Sequence, residues 1–140
     1  MATKADFTEA EWKTMQKGLT GAGLLVSVSD ADFTDTFGEA GALAKRLGKE
    51  HEENASELMR ELAHAKGSGF GLTASQQEVE AGTMEALRSA TAILGAKAPE
   101  DVDAYRQLVL GVADSVAAAK GGGVAPAEAG AIEKIKVALG

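Results

Sequence analysis

Residues 98–140 read APEDVDAYRQLVLGVADSVAAAKGGGVAPAEAGAIEKIKVALG, and this stretch decides the fold. Pro99 suits the first position of a helix, and the two acids after it favour the positive end of the helix dipole. Apolar side chains then recur every three or four residues, which is the period of a helix with one buried face. The glycines at 121–123 interrupt that pattern, and Pro126 begins a second helix that runs to Leu139.

The same helical period recurs through the rest of the 140 residues, and strand-like alternation is missing. We therefore predict an all-α fold, in which residues 1–140 form a single domain, a compact bundle of about six helices. The residues expected to face the core are Trp12, Met15, Leu19, Ala22, Val26 and Ser29 in the first helix; Phe33, Phe37, Ala40, Ala44 and Leu47 in the second; Ala55, Leu58, Leu62 and Ala65 in the third; Val79, Thr83, Ala86, Leu87, Ala90, Ile93 and Leu94 in the fourth; Val102, Tyr105, Val109, Val112, Val116 and Ala119 in the fifth; and Ile132, Ile135 and Leu139 in the sixth.

Local signals predict where these helices begin and end. Thr8 and Glu11 have the spacing of a capping box, and the segment Thr73–Gln76 has the same spacing before the fourth helix. Gly48 either caps the second helix or lies within its continuation. We expect the polar stretch Lys49–Asn54 to lead from the second helix into the third. Glycines in the first helix, Gly18 among them, predict close approach by another helix.

Composition excludes several classes of function. The chain has no cysteine, which removes disulfides, thiolate metal sites and cysteine nucleophiles. Its net charge is −7, with no basic run to compensate, so we expect no nucleic-acid binding. No apolar run approaches the roughly 20 residues needed to cross a bilayer, and we expect no membrane insertion. We predict a cytoplasmic protein.

Four carboxylates, Asp30, Asp32, Asp35 and Glu39, fall within ten residues between the first two helices. Hard divalent cations prefer oxygen ligands from short, bent segments. The spacing is not that of an EF-hand, because position six is not glycine and position twelve is Gly41. The simpler interpretation is that these acids cap the helices and complement a helix dipole. They are the candidate metal ligands, and the sequence predicts no other cofactor.

A second candidate cluster is Glu57, Glu61 and His64, which share one helical face. The Glu-x-x-His spacing of the last two occurs in di-iron bundles, but those need two such motifs and two further glutamates. The only other histidine, His51, has no glutamate three residues before it. A solvated charged face is the simpler interpretation. The alternative is a carboxylate–histidine metalloenzyme, with its transition metal shared across a dimer.

The C-terminal segments carry a resemblance to a known family. Residues 108–124 followed by Ala125-Pro126-Ala127-Glu128 and residues 132–140 resemble the closing helix–loop–helix of TerB-like tellurite-resistance domains. In that family a helix of small residues ends at an acidic-glycine turn, and a capped helix ending in Leu-Gly follows. Here the turn is three glycines without the acid, and Ala125 stands where the cap is usually Ser or Thr.

The N-terminal part extends the resemblance. Residues 23–30, followed by Glu39, resemble the first half of the same domain, which carries a similar acidic turn. The segment Phe7–Trp12 is similar to the opening of a related bacterial all-helical family with no assigned activity. The resemblance implies a TerB-like bundle, and it keeps a divalent-cation role only for the acidic cluster at residues 30–39.

Together, these patterns predict a non-enzymatic helical binding or scaffold protein. Its expected partner is another protein or a second copy of the chain, as a homodimer. The first alternative is a TerB-like stress-response module that binds a divalent cation through Asp30, Asp32, Asp35 and Glu39. The second alternative is the metalloenzyme described above.

Overall fold

The computed structural model describes residues 3–29, 36–54, 56–64, 75–118 and 126–140, and the side chains of 28, 29 and 36–43 lie outside the description. Most of the described residues are helical, and there is no strand among them. A 3-10 turn precedes the first helix, and a second one precedes the fifth. The six α-helices are α1 (Glu9–Ser29), α2 (Thr36–Glu53), α3 (Glu57–Leu62), α4 (Gln76–Lys97), α5 (Val102–Ala118) and α6 (Pro126–Leu139).

The capping box predicted for α1 is confirmed. The backbone amide of Glu11 donates to the Thr8 hydroxyl at 3.1 Å, and the Glu11 carboxylate accepts from the Thr8 amide at 2.8 Å. The box predicted for α4 is shifted by two residues, because Ser75 is the N-cap and its hydroxyl accepts from the Glu78 amide at 3.1 Å. The Ser75 hydroxyl also donates to Glu78 Oε1 at 3.3 Å, so the two side chains contact each other at the start of the helix.

At the end of α2 the structure confirms the second alternative for Gly48, a continued helix, and corrects the assignment of the polar stretch as a link to α3. Gly48 lies inside the helix, and the polar stretch Lys49–Asn54 is helical up to Glu53. Side-chain bonds one turn apart support this extension: Glu50 accepts from Arg46 at 2.9 Å and from Asn54 at 2.7 Å. Polar pairs at this spacing stabilise a helix even where no apolar face drives it.

Helix α1 lies at the centre of the bundle. It packs most extensively against α4, next against α5, and also contacts α2, α3 and α6. The predicted core positions of α1 with described side chains are all buried, as are most of those in α4, α5 and α6. Ala44 was predicted to face the core and is exposed instead. Ala55, Ala65 and Ala119 lie outside the described residues, as do the glycines at 121–123.

A close approach between α1 and α5 explains one glycine. The Tyr105 hydroxyl donates to the Met15 carbonyl at 2.8 Å. A Cβ on Gly18 would lie 2.6 Å from that hydroxyl and 3.1 Å from the Leu87 side chain of α4. Gly18 therefore faces helices of its own chain. Burial raises the pKa of Tyr105 far above its ordinary value, so the phenol stays neutral and acts as a donor.

Candidate binding groove

The predicted cation ligands cannot be assembled into a site from the described residues. Asp30, Asp32 and Asp35 lie outside them, and Glu39 belongs to α2 with its side chain undescribed. Within the described part of the chain, no three His, Cys, Asp or Glu residues are grouped so as to hold a metal ion. The acidic cluster stays a prediction.

A surface groove of about 870 Å³ runs between the N-terminal segment with α1 on one side and α3 on the other. It contains all three residues of the second predicted cluster, together with aromatic and basic side chains from the N-terminus. The lining residues are Thr3, Lys4, Ala5, Phe7, Thr8, Glu9, Trp12, Lys13, Gln16, Glu57, Leu58, Glu61 and His64.

The N-terminal wall is held by a lysine from α4. Lys97 Nζ donates to the Asp6 carbonyl at 3.1 Å and to Glu11 Oε1 at 2.6 Å. The hydrogen bond from Lys97, followed by the one from the Thr8 amide, lowers the pKa of Glu11 below its ordinary value. This carboxylate therefore stays charged and ties the start of α1 to the end of α4.

Aromatic rings form the base of the same wall. The Phe7 and Trp12 ring centroids are 6.1 Å apart at an angle of 49°, and both side chains are buried. Lys4 Nζ lies 5.5 Å from the Trp12 ring centroid, a distance that permits a cation–π interaction. Trp12 is thus buried, as predicted for a core position, and also borders the groove.

The α3 wall comes from a six-residue helix with two distinct faces. Leu58, Met59 and Leu62 are buried, whereas Glu57 and Glu61 are exposed. This arrangement follows from the helical period, because residues four apart share a face.

Short polar contacts fix the position of α3. The Ser56 hydroxyl accepts from the Met59 amide at 3.3 Å as the N-cap, and it donates to Asp101 Oδ1 at 3.0 Å. The Arg60 guanidinium donates to the Asn54 carbonyl at 2.8 Å. The helix is therefore attached to both the end of α2 and the start of α5.

The charges along the groove are not equally compensated. Lys13 pairs with Glu9 at 3.2 Å on the α1 side. Neither Glu57 nor Glu61 has an ion-pair partner among the described residues. The α3 wall therefore presents two exposed carboxylates without ion-pair partners in the described part of the chain, while Lys4 and Lys13 lie on the opposite wall.

The structure also brings together two residues that the sequence did not pair. The rings of His51, in the last turn of α2, and His64, just after α3, have centroids 4.7 Å apart at an angle of 35°. His51 Nδ1 lies 2.8 Å from the Arg60 carbonyl. The sequence contained no signal for this pair, since it depends on how α3 folds back beside α2.

Two further polar features escaped the sequence interpretation. A second groove, of about 530 Å³, lies between α2 and α5, where Arg46 donates to the Ser115 hydroxyl at 3.0 Å. Glu128, in the first turn of α6, is fully buried. A glutamate near a helix N-terminus is usually exposed and interacts favourably with the helix dipole. The sequence therefore did not indicate that Glu128 would be buried.

None of the helices in the described ranges combines the length and apolarity of a membrane span. Comparison of the chain with protein-family models, with curated proteins and with solved structures finds no match. The likeness to TerB-like domains therefore stays an interpretation of the sequence.

Proposed function

We propose that this chain is a non-enzymatic helical binding protein, and that the groove between α1 and α3 takes a cationic, partly apolar segment of a protein partner. The observation that carries the proposal is the pair Glu57 and Glu61, exposed on the groove wall without ion-pair partners among the described residues. Lysine or arginine side chains of a partner would compensate these charges.

The composition of the groove supports a peptide as the occupant. Leu58, Phe7 and Trp12 line the groove as largely buried apolar side chains between charged rims, and interface cores combine apolar anchors with a polar rim. The exposed lining residues leave the groove open along its length, so an extended or helical segment fits better than an enclosed small molecule. A net charge of −7 also attracts a cationic partner at long range.

The test uses the chain's only tryptophan as a reporter. Because Trp12 borders the groove, its emission should change when a peptide without tryptophan binds there. The probe is a twelve-residue peptide of leucine and lysine, and the control probe has glutamate in place of each lysine. We expect saturable binding of the first peptide only, weakened by added salt because screening reduces interactions between exposed charges.

Paired variants separate the groove from overall acidity. Glu57→Lys combined with Glu61→Lys should abolish the emission change. Glu85→Lys combined with Asp114→Lys makes the same change in net charge at exposed positions of α4 and α5 and should leave binding intact. If both double variants lost peptide binding equally, net charge alone would explain the binding, and the groove proposal would be overturned.

A further inference from the structure

We propose that His51 and His64 bind a divalent transition-metal ion of the kind that prefers imidazole, such as Zn²⁺ or Ni²⁺. The site shares His64 with the groove, but His51 is not among the groove's lining residues, and neither Glu57 nor Glu61 is required as a ligand. The pair joins His64, from the second cluster of the sequence analysis, to His51, which neither cluster included.

The first step of the argument is the distance between the rings. Their centroids are 4.7 Å apart, and the planes are tilted by 35°. The two residues are thirteen positions apart in the sequence, and α3, anchored through Arg60 and Ser56, brings them together. Two imidazoles held this close can ligate one ion with small side-chain rotations.

The second step is the tautomer of His51. A carbonyl oxygen only accepts, so the 2.8 Å contact between Nδ1 and the Arg60 carbonyl assigns the ring hydrogen to Nδ1 in the neutral imidazole. The lone pair is then on Nε2. Metal-ligating histidines usually donate their other ring N–H to a carbonyl or carboxylate, which orients the ring and raises its basicity. His51 already has that support.

The third step is accessibility. Both histidines are exposed, and the His64 ring makes no hydrogen bond or ion pair within the described ranges. A metal ion therefore displaces no protein partner. Glutamates at 52, 53 and 61 are close in sequence to the pair and add negative charge to this end of the molecule.

The coordination is expected to be incomplete on the protein side. No third His, Cys, Asp or Glu in the described ranges completes a ligand group, so water fills the other positions. Imidazole nitrogen suits Zn²⁺, Cu²⁺ and Ni²⁺, whereas Mg²⁺ and Ca²⁺ prefer oxygen. Selectivity between these two groups of ions distinguishes the imidazole pair from any carboxylate cluster.

Calorimetric titration of the full chain without a purification tag tests the proposal. We expect one Zn²⁺ or Ni²⁺ per chain, and no comparable heat with Mg²⁺. Since the chain has only two histidines and no cysteine, His51→Ala and His64→Ala each leave a single imidazole. Each variant should weaken binding by at least about tenfold. Glu85→Ala, on exposed α4 surface, is the control and should bind as the wild type does.

A measurement on the unaltered chain makes the test independent of the variants. Diamagnetic Zn²⁺ should shift the ring ¹⁵N resonances of both histidines in parallel, reaching completion together at one equivalent. A coordination shift confined to one ring, or affinity retained in either alanine variant, would overturn the shared site. So would the lack of any binding tighter than about 1 mM.

Discussion

Helices α1 and α3 both border the candidate groove, yet they are built in opposite ways. Helix α1 contacts every other helix and buries side chains along most of its length. Helix α3 has six residues, buries Leu58, Met59 and Leu62, and presents its acids to solvent. We infer that the two helices have different roles. Packing around α1 stabilises the fold, and the polar surface of α3 is available for binding.

The largest expected effect lies at the crossing of α1 and α5. Gly18→Ala places a methyl group 2.6 Å from the Tyr105 hydroxyl, which is buried and bonded to Met15. Overpacking of this kind costs about 1–3 kcal/mol, more than the roughly 0.5–1 kcal/mol that alanine gains over glycine in a helix. Chemical denaturation should therefore show a lower free energy of unfolding.

A double-mutant cycle assigns this loss to the hydroxyl. In a Tyr105→Phe background the nearest neighbour of the new methyl group is the Leu87 side chain at 3.1 Å, so Gly18→Ala should cost less. We expect a coupling energy of about 1 kcal/mol between the two positions. If the free-energy changes of the two single variants simply added in the double variant, the contact with the Tyr105 hydroxyl would not be the reason that position 18 requires glycine.

The next effect concerns a buried hydroxyl in α4. Thr83 is fully buried, and its Oγ1 has no hydrogen-bond partner among the described residues. Burial of an unbonded hydroxyl costs about 1–3 kcal/mol, and valine keeps its shape. Thr83→Val should raise the free energy of unfolding by about 1 kcal/mol. Thr20→Val is the control, since that hydroxyl donates to the Gln16 carbonyl at 2.9 Å and its removal should bring no gain.

The smallest effect is the pH dependence of the Glu11–Lys97 contact. Because the folded state lowers the pKa of Glu11, its contribution is complete above the unfolded value of about 4.3 and is lost as pH falls through the lower folded value. The stability difference between wild type and Glu11→Gln should therefore shrink between pH 7 and pH 3. If the stability difference between wild type and Glu11→Gln grew as the pH fell, the pKa of Glu11 would be raised by folding, not lowered. Glu133→Gln, at an exposed pair with Lys136, is the comparison.

The sequence predicted those parts of the fold that depend on local pattern. The spacing of apolar residues predicted the buried faces of α4, α5 and α6. The spacing of Thr8 and Glu11 predicted the capping box of α1. Both signals depend on residues only a few positions apart. The sequence left open whether α2 ends at Gly48 or continues, and in the structure α2 continues through the segment in which Glu50 accepts from Arg46 and Asn54.

The candidate site was only partly predictable. Glu57, Glu61 and His64 share a face by helical spacing, and the structure brings them to one groove. The contact of His64 with His51 arises from the turn between α2 and α3, which no local pattern encodes. Ala44 has an apolar side chain at the predicted spacing, but it is exposed, whereas Leu47 of the same helix is buried.

The most direct test of the division between α1 and α3 measures unfolding and binding of the leucine–lysine peptide on the same two variants. The account predicts that Gly18→Ala loses stability and binds like the wild type at temperatures where it is folded. It predicts that Glu57→Lys with Glu61→Lys loses binding and keeps its stability within about 1 kcal/mol, a margin set by the unfavourable interaction of a lysine with the dipole at the start of α3. Full peptide affinity in the α3 variant, or lost affinity in folded Gly18→Ala, would contradict the account.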